Sequence, residues 1–161
     1  MLQPNLAGIL VTLQSRTGHS FNAESFESRL RIQKSIYILK ALGFRPACVY
    51  SYSDYFHGPY SPNLAKDYYE LLSQRLLRQG TESVTCIELP DAMLGIVEEA
   101  IRRGNDFLEA AASLHSLAAR YPELDGTKLQ AFLRTMKPGI ADRSEEAWSF
   151  LTTNHLVVER T

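Results

Sequence analysis

Cysteine is scarce in this chain: Cys48 and Cys86 stand alone among 161 residues. Two isolated cysteines allow one disulfide at most and do not look like a secreted disulfide framework. No CxxC pair occurs, which removes the best support for a zinc knuckle. No apolar run approaches the ~20 residues needed to span a bilayer. The N-terminus lacks a basic segment followed by an apolar core and a cleavage site. Phosphate loops of the GxxxxGK[ST] or GxGxxG type are missing, as are the HExxH metal helix and the GxSxG elbow. Net charge is −1, so no global electrostatic drive toward nucleic acid or anionic lipid exists. These absences point to a soluble cytoplasmic protein. No cofactor, metal site, catalytic group or membrane association is expected.

What is present is ordinary in amount and unusual in placement. The hydrophobic fraction is 45% and the charged fraction 22%, enough for a real core in one domain spanning 1–161. Apolar residues recur mostly at helical spacing. Helices are expected at about 4–16, 24–43, 62–79, from Asp91 as N-cap, from 105 to 121, over 127–136 and from Ser144 onward. Gly43, Gly80 and Lys137-Pro138-Gly139 supply stops. The second helix is apolar on a wide arc through Phe26, Leu30, Ile36, Tyr37, Leu39 and Leu42, which predicts a central place in the core. The alanines between Phe107 and Ala118 suggest close helix–helix approach. Short β-like pieces appear at Cys48–Tyr55, Val84–Leu89 and Leu156–Val158. The fold class is therefore mainly α, a compact helical domain of six to seven helices with at most a small β-sheet.

Six of the eight tyrosines fall between Tyr50 and Tyr69. In the middle of them, Tyr55-Phe56-His57 meets Gly58-Pro59, read as a turn, and Ser61-Pro62 then opens a helix with a serine cap and proline at the first position. The plainer reading of the tyrosines is structural, with rings buried and hydroxyls satisfied at the core edge. The functional reading is a recognition surface, because tyrosine is enriched at interface hot spots. Just upstream, residues 28–53 hold Arg29, Arg31, Lys34, Lys40 and Arg45 and no acid. The plain reading is a solvated helix face; the alternative is a patch for an acidic partner or a phosphate backbone.

Chemistry is harder to find. Asp54, His57 and Lys34 can be imagined as a small-molecule or nucleotide site, with Asp67 and Glu70 nearby. Their spacing matches no ligand motif, and His57 beside a Gly-Pro pair reads as a hydrogen-bonding residue rather than a general base. His115 on an alanine-rich helix reads as packed.

The order of these motifs resembles a known family. Leu30-Arg31-Ile32-Gln33-Lys34-Ser35-Ile36-Tyr37-Ile38-Leu39-Lys40 is followed by Tyr55-Phe56-His57-Gly58-Pro59-Tyr60-Ser61-Pro62 and a Leu64-starting helix. This is similar to the Panacea or SocA-like antitoxin domain, whose signature is a Lys-Leu-(Leu/Val)-Tyr-(Phe/Ile) helix and a Tyr-Gly-Pro-x-x-Pro turn. Within that group the chain looks most like the YwgA-like bacterial proteins. The resemblance spans roughly 28–157. It matches at Lys34, Tyr37, Gly58, Pro59 and Pro62, keeps an aromatic ring at Phe56, and has His57 where the family has tyrosine. It implies a helical domain that acts through protein contacts, either neutralising a toxin or delivering a substrate to a protease. The expected partner-binding set is Lys34, Tyr37, Tyr55, Phe56, His57, Gly58, Pro59, Tyr60 and Pro62, with DNA binding and small-molecule binding as the rival functions.

Overall fold

A computed structural model describes residues 3–55, 57–74 and 87–159. It contains seven α-helices among those residues: α1 (Gln3–Thr17), α2 (Phe26–Ala41), α3 (Pro62–Ser73), α4 (Asp91–Arg102), α5 (Asn105–Arg120), α6 (Gly126–Met136) and α7 (Ser144–Thr153). Two three-residue strands, β1 (Ser53–Tyr55) and β2 (Gly58–Tyr60), pair antiparallel as the single small sheet described. The mainly helical class with a minor sheet is what the periodicity implies.

Helix α5 is the axle. It packs against α2, α4, α6, α7 and the hairpin. Its residues Phe107 to Leu114 are buried without interruption, which is the pattern of a helix enclosed on all sides. The alanines at 110–112 leave room for this crowding. Helix α2 is the second central element, buried continuously from Ile32 to Leu39. Its first turn departs from the expected apolar arc: Phe26 is exposed. Helix α1 lies against α3 and α4. Gly126 opens α6 directly against the indole of Trp148, where a Cβ would collide with the ring.

Helix starts follow their capping chemistry. Ser25 Oγ accepts Ser28 N–H at 3.1 Å, Ser61 Oγ accepts Leu64 N–H at 3.3 Å, and Asp125 Oδ1 accepts Lys128 N–H at 2.9 Å. Asp91 is not the cap it was expected to be. Pro90 occupies that position without a side-chain bond, and Asp91 sits in the first turn of α4, where its charge still favours the helix dipole. The expected end of α3 near 79, and its stop at Gly80, lie outside the described residues.

The β-like pieces fare less well. Only the last three residues of Cys48–Tyr55 form a strand; a 3-10 turn at Arg45–Ala47 leads into the segment. Ile87–Leu89 is not a strand, and the rest of that piece lies outside the described residues. Leu156–Val158 follows a turn in which His155 takes φ 57° and also forms no strand. β-propensity without a neighbouring edge to pair with does not make a sheet. The Gly58-Pro59 pair is not the turn. It begins β2, with Tyr55 opposite Gly58 and Asp54 opposite Pro59. A proline is tolerated there because the two-stranded ribbon leaves an edge needing no N–H.

The stretch from Tyr50 to Ser61 is fastened to α2 by side chains that bond to its backbone. Gln33 Oε1 accepts Ser61 N–H at 2.9 Å, and Gln33 Nε2 donates to Ser61 C=O at 3.0 Å. Lys34 Nζ donates to Pro59 C=O at 2.7 Å, and Lys40 Nζ to Tyr50 C=O at 2.6 Å. Gln33 and Ser61 are both buried, so water cannot replace these bonds. Gln33→Leu keeps the volume and strands both Ser61 groups. We expect it to lower the unfolding free energy by roughly 2–4 kcal/mol, measured as a shift in denaturant midpoint at unchanged m-value.

Candidate functional site

A cleft of about 410 Å³ opens where α2, the hairpin and α3 meet. That volume is in the range of small-ligand and side-chain pockets. Helix α2 contributes Phe26, Arg29, Leu30, Gln33 and Lys34; His57, Gly58 and Tyr60 come from the hairpin, and Tyr68 and Tyr69 from α3. The α2 residues share a face because positions three and four apart stack along a helix. Phe26 is 50% exposed and Tyr69 49%, so aromatic rings form the rim. The His57 ring packs edge-on to Phe26, centroids 5.1 Å apart. Tyr68 and Tyr69 lie 4.9 Å apart. The described lining includes Arg29, Lys34 and His57 and no carboxylate.

Below the cleft is a small charged cluster. Lys34 is only 2% exposed. Removal from water pushes its ammonium down to about 8, an effect that Glu109 opposes and Lys137 reinforces. Glu109, on α5, is buried. Its Oε1 lies 3.2 Å from His57 Nδ1, and its Oε2 lies 3.6 Å from Lys137 Nζ. Desolvation also lowers Lys137, with Glu109 and Asp54 acting the other way.

The expected site residues divide by depth. Lys34, Tyr37, Gly58 and Pro59 are buried; Tyr60 is half-buried, and His57 and Pro62 are exposed. Tyr55 belongs to β1. Phe56 lies outside the described residues. Lys34, His57, Gly58 and Tyr60 converge on the cleft. Tyr37 sits elsewhere, sharing a 2.8 Å hydrogen bond with His115 and meeting Tyr52 edge-on at 5.0 Å. His115 is accordingly a packed residue, its basicity lowered by burial. Asp54 does not join Lys34 and His57 in the cleft. It pairs with Arg120 and accepts from Ser116 at 2.7 Å. Among the described residues no group of three or more His, Cys, Asp or Glu side chains is placed to hold a metal ion.

The tyrosine cluster is largely structural. Tyr50, Tyr52 and Tyr68 are turned inward, and burial raises the pKa of each hydroxyl. Tyr50 O–H donates to Asp67 at 2.7 Å. Among the described side chains of the cluster, Tyr69 is the one about half-exposed. The acid-free segment is not a solvated face either. Arg29 and Arg31 donate to the carbonyls of Ala23 and Ser20, as Lys34 and Lys40 do to those of Pro59 and Tyr50. Carbonyls that take donors, those of Ala23, Tyr50 and Pro59 buried and that of Ser20 exposed, account for four of the five cations of the segment; Arg45 is exposed.

Gln33, Glu109 and Lys137 were not singled out from the sequence. The signal for Glu109 was present: an acid among the apolar residues and alanines that run from Phe107 to Ala112. Lys137 read as part of a helix stop.

No protein-family model, curated protein or solved structure matches the chain. Among the described residues no helix is long and apolar enough to cross a membrane.

The glycine of the Gly-Pro pair has a physical reason to be there. Gly58 takes φ +89°, and a Cβ added to it would lie 2.5 Å from Ser113 Oγ. Gly43 takes nearly the same φ, +87°, with open space around it. Gly43→Ala should therefore cost strain alone, about 1–2 kcal/mol. Gly58→Ala should cost that plus the collision, roughly 2–4 kcal/mol. Equal losses in chemical denaturation would refute close packing at Gly58.

The Lys34 shift also has a sign that can be measured. Between pH 8 and the ordinary lysine value of 10.5, the unfolded chain holds a proton that the folded chain has released. Stability from this group must therefore rise with pH across that window. Relative to Lys34→Met, the native chain should gain about 2 kcal/mol between pH 8 and pH 10. The comparison stops there, because the buried tyrosines favour folding only while the unfolded chain keeps its phenols protonated. Denaturant midpoints of both proteins across this range give the answer; parallel curves would place Lys34 in water.

Proposed function

We propose that this chain is a protein-interaction module of antitoxin or proteolytic-adaptor type, and that it captures its partner in the cleft between α2, β2 and α3. The observation that carries this reading is the rim. Phe26 and Tyr69 stand half-exposed over a cleft with Arg29, Lys34 and His57 in its described lining and no carboxylate. Rigid aromatic rings around an apolar recess are the usual anchors of an interface. The cationic lining favours a partner segment that carries an acidic group beside an apolar side chain. The motif resemblance at Lys34, Gly58 and Pro59 supports the same class. Lys34 there is a buried strut, and His57 and Tyr60 are the motif residues that reach the opening.

Other observations weigh against the rivals. The net charge of −1 supplies no overall pull toward a phosphate backbone. Asp54, needed for the small-molecule reading, is held by Arg120 and Ser116 on the far side of Gly58.

The test is affinity capture with the tagged chain from its native cell, beside a Phe26→Ala/Tyr69→Ala double variant. Both side chains are half in solvent, so the variant should melt within a few degrees of the native chain. We expect one stoichiometric partner to be recovered by the native chain and lost at least about tenfold in the variant, as for a pair of hot-spot anchors. Equal recovery by both proteins would remove the cleft from the interface.

A further inference from the structure

Lys34 sits at the floor of the cleft with most of its hydrogen-bonding capacity unspent. It is 2% exposed and belongs to the cleft lining. An ammonium carries three N–H donors. One goes to the Pro59 carbonyl at 2.7 Å, and among the described residues that is the only hydrogen bond Lys34 makes. No carboxylate of the described residues pairs with it. Glu109 is engaged at 3.2 Å with His57 and at 3.6 Å with Lys137, and acts on Lys34 as a charge without touching it.

Two donors of an enclosed cation are thus left to the contents of the cleft. A buried charged group lacking hydrogen bonds is costly, so an occupant gains by supplying the acceptor. The rest of the described lining says which kind. Leu30 and the rings of Phe26, Tyr68 and Tyr69 suit an apolar side chain, and no carboxylate stands among the lining residues to compete. Arg29 is half-buried and already donates to the Ala23 carbonyl at 3.3 Å. A carboxylate offers two oxygens and a charge-assisted bond, where a neutral carbonyl offers one oxygen and no charge.

We propose that Lys34 sets the specificity of the cleft: its two remaining donors take a carboxylate side chain of the partner, held beside an apolar side chain that rests against Leu30, Phe26 and Tyr69. The proposal rests on the reading of the cleft as the partner site and names what is recognised there. The aromatic rim supplies contact area, and Lys34 discriminates. A segment with glutamine in place of glutamate leaves the ammonium uncompensated, which is a penalty against the wrong partner.

Recognition of this kind carries a pH signature. Burial pushes Lys34 down to about 8, with Glu109 opposing and Lys137 reinforcing. At pH 7 the ammonium is largely intact, and at pH 9 about one-tenth of it remains. A carboxylate that needs the ammonium is therefore held up to about tenfold more weakly at pH 9. The other charged and titratable groups around Lys34 are Arg29 on α2, His57 and Tyr60 on the hairpin, Tyr68 and Tyr69 on α3, Glu109 on α5 and Lys137 after α6. Burial lowers Lys137 as well, so a Lys34→Met variant is needed to separate the two lysines.

The test is a titration of the full chain with acetyl-Glu-Phe-amide and with its uncharged isostere acetyl-Gln-Phe-amide, at pH 7 and pH 9. Binding is followed by amide chemical shifts and by the lysine Cε resonances. We expect the Glu peptide to saturate at about millimolar affinity at pH 7, with shifts centred on Lys34 and Gly58, and to bind about tenfold more tightly than the Gln peptide. Its affinity should fall about fivefold to tenfold at pH 9, and saturation should raise the Lys34 titration midpoint by about one unit or more. Lys34→Met should lose the Glu preference and the pH dependence together; a preference due to Arg29 or Lys137 would survive it. If that variant melts early, the Lys34 midpoint of the native chain decides. Absence of saturation, equal affinity for the two peptides, unchanged affinity at pH 9 or a fixed Lys34 midpoint would each overturn the proposal. The expected peptide binding together with undiminished capture by Phe26→Ala/Tyr69→Ala would instead overturn the partner reading and leave the carboxylate site at Lys34 standing.

Discussion

The structure depends on α2 supplying side-chain hydrogen bonds to a segment that has almost no secondary structure of its own. From Tyr50 to Ser61 the described chain makes one three-residue ladder, and Tyr50, Gly58, Pro59 and Ser61 are buried. Buried peptide groups must find partners. Gln33, Lys34 and Lys40 provide them, and Gln33 reproduces both bonds of a β-ladder position with a single amide. Without that edge the hairpin would not hold its place over α5, and the cleft beside Gly58 would lose a wall. A lysine with ordinary hydration could not do this. Lys34 is buried at a cost in basicity, and its bond to the Pro59 carbonyl offsets part of that cost.

Much of this was legible in the residues and some was not, for separable reasons. Seven helices follow from period and caps, and Ser61-Pro62, Lys137-Pro138-Gly139 and Ser144 mark boundaries that local chemistry decides. The alanines of α5 correctly point to tight packing. Ile87–Leu89 and Leu156–Val158 form no strand, because a strand needs an edge to pair with, which composition cannot supply. Gly58-Pro59 was read as a turn since that dipeptide usually makes one; here the φ of Gly58 serves close approach to Ser113 instead. The basic run in α2 was visible, but its purpose lay in carbonyls distant in sequence. The cluster around Glu109 joins positions from α2, the hairpin, α5 and the residue after α6, and no local pattern connects them.

Two cavities beside Gly58 use charge differently. In the cleft, the cations line an opening ringed by aromatics, and the emphasis is on contact area. In a smaller cavity of about 100 Å³ between β1, α5 and the end of α6, Arg120 is paired with Asp54 and Lys137 with Glu109, and the emphasis is on charges matched within the fold. Gly58 borders both.

The fastening of this segment has one more effect. Because α2 grips the main chain at Tyr50, Pro59 and Ser61, those bonds do not depend on the side chains at the gripped positions. A chain built this way can redraw its outward surface by substitution and still dock the loop in the same position, with the instructions for geometry and the instructions for recognition written in different places.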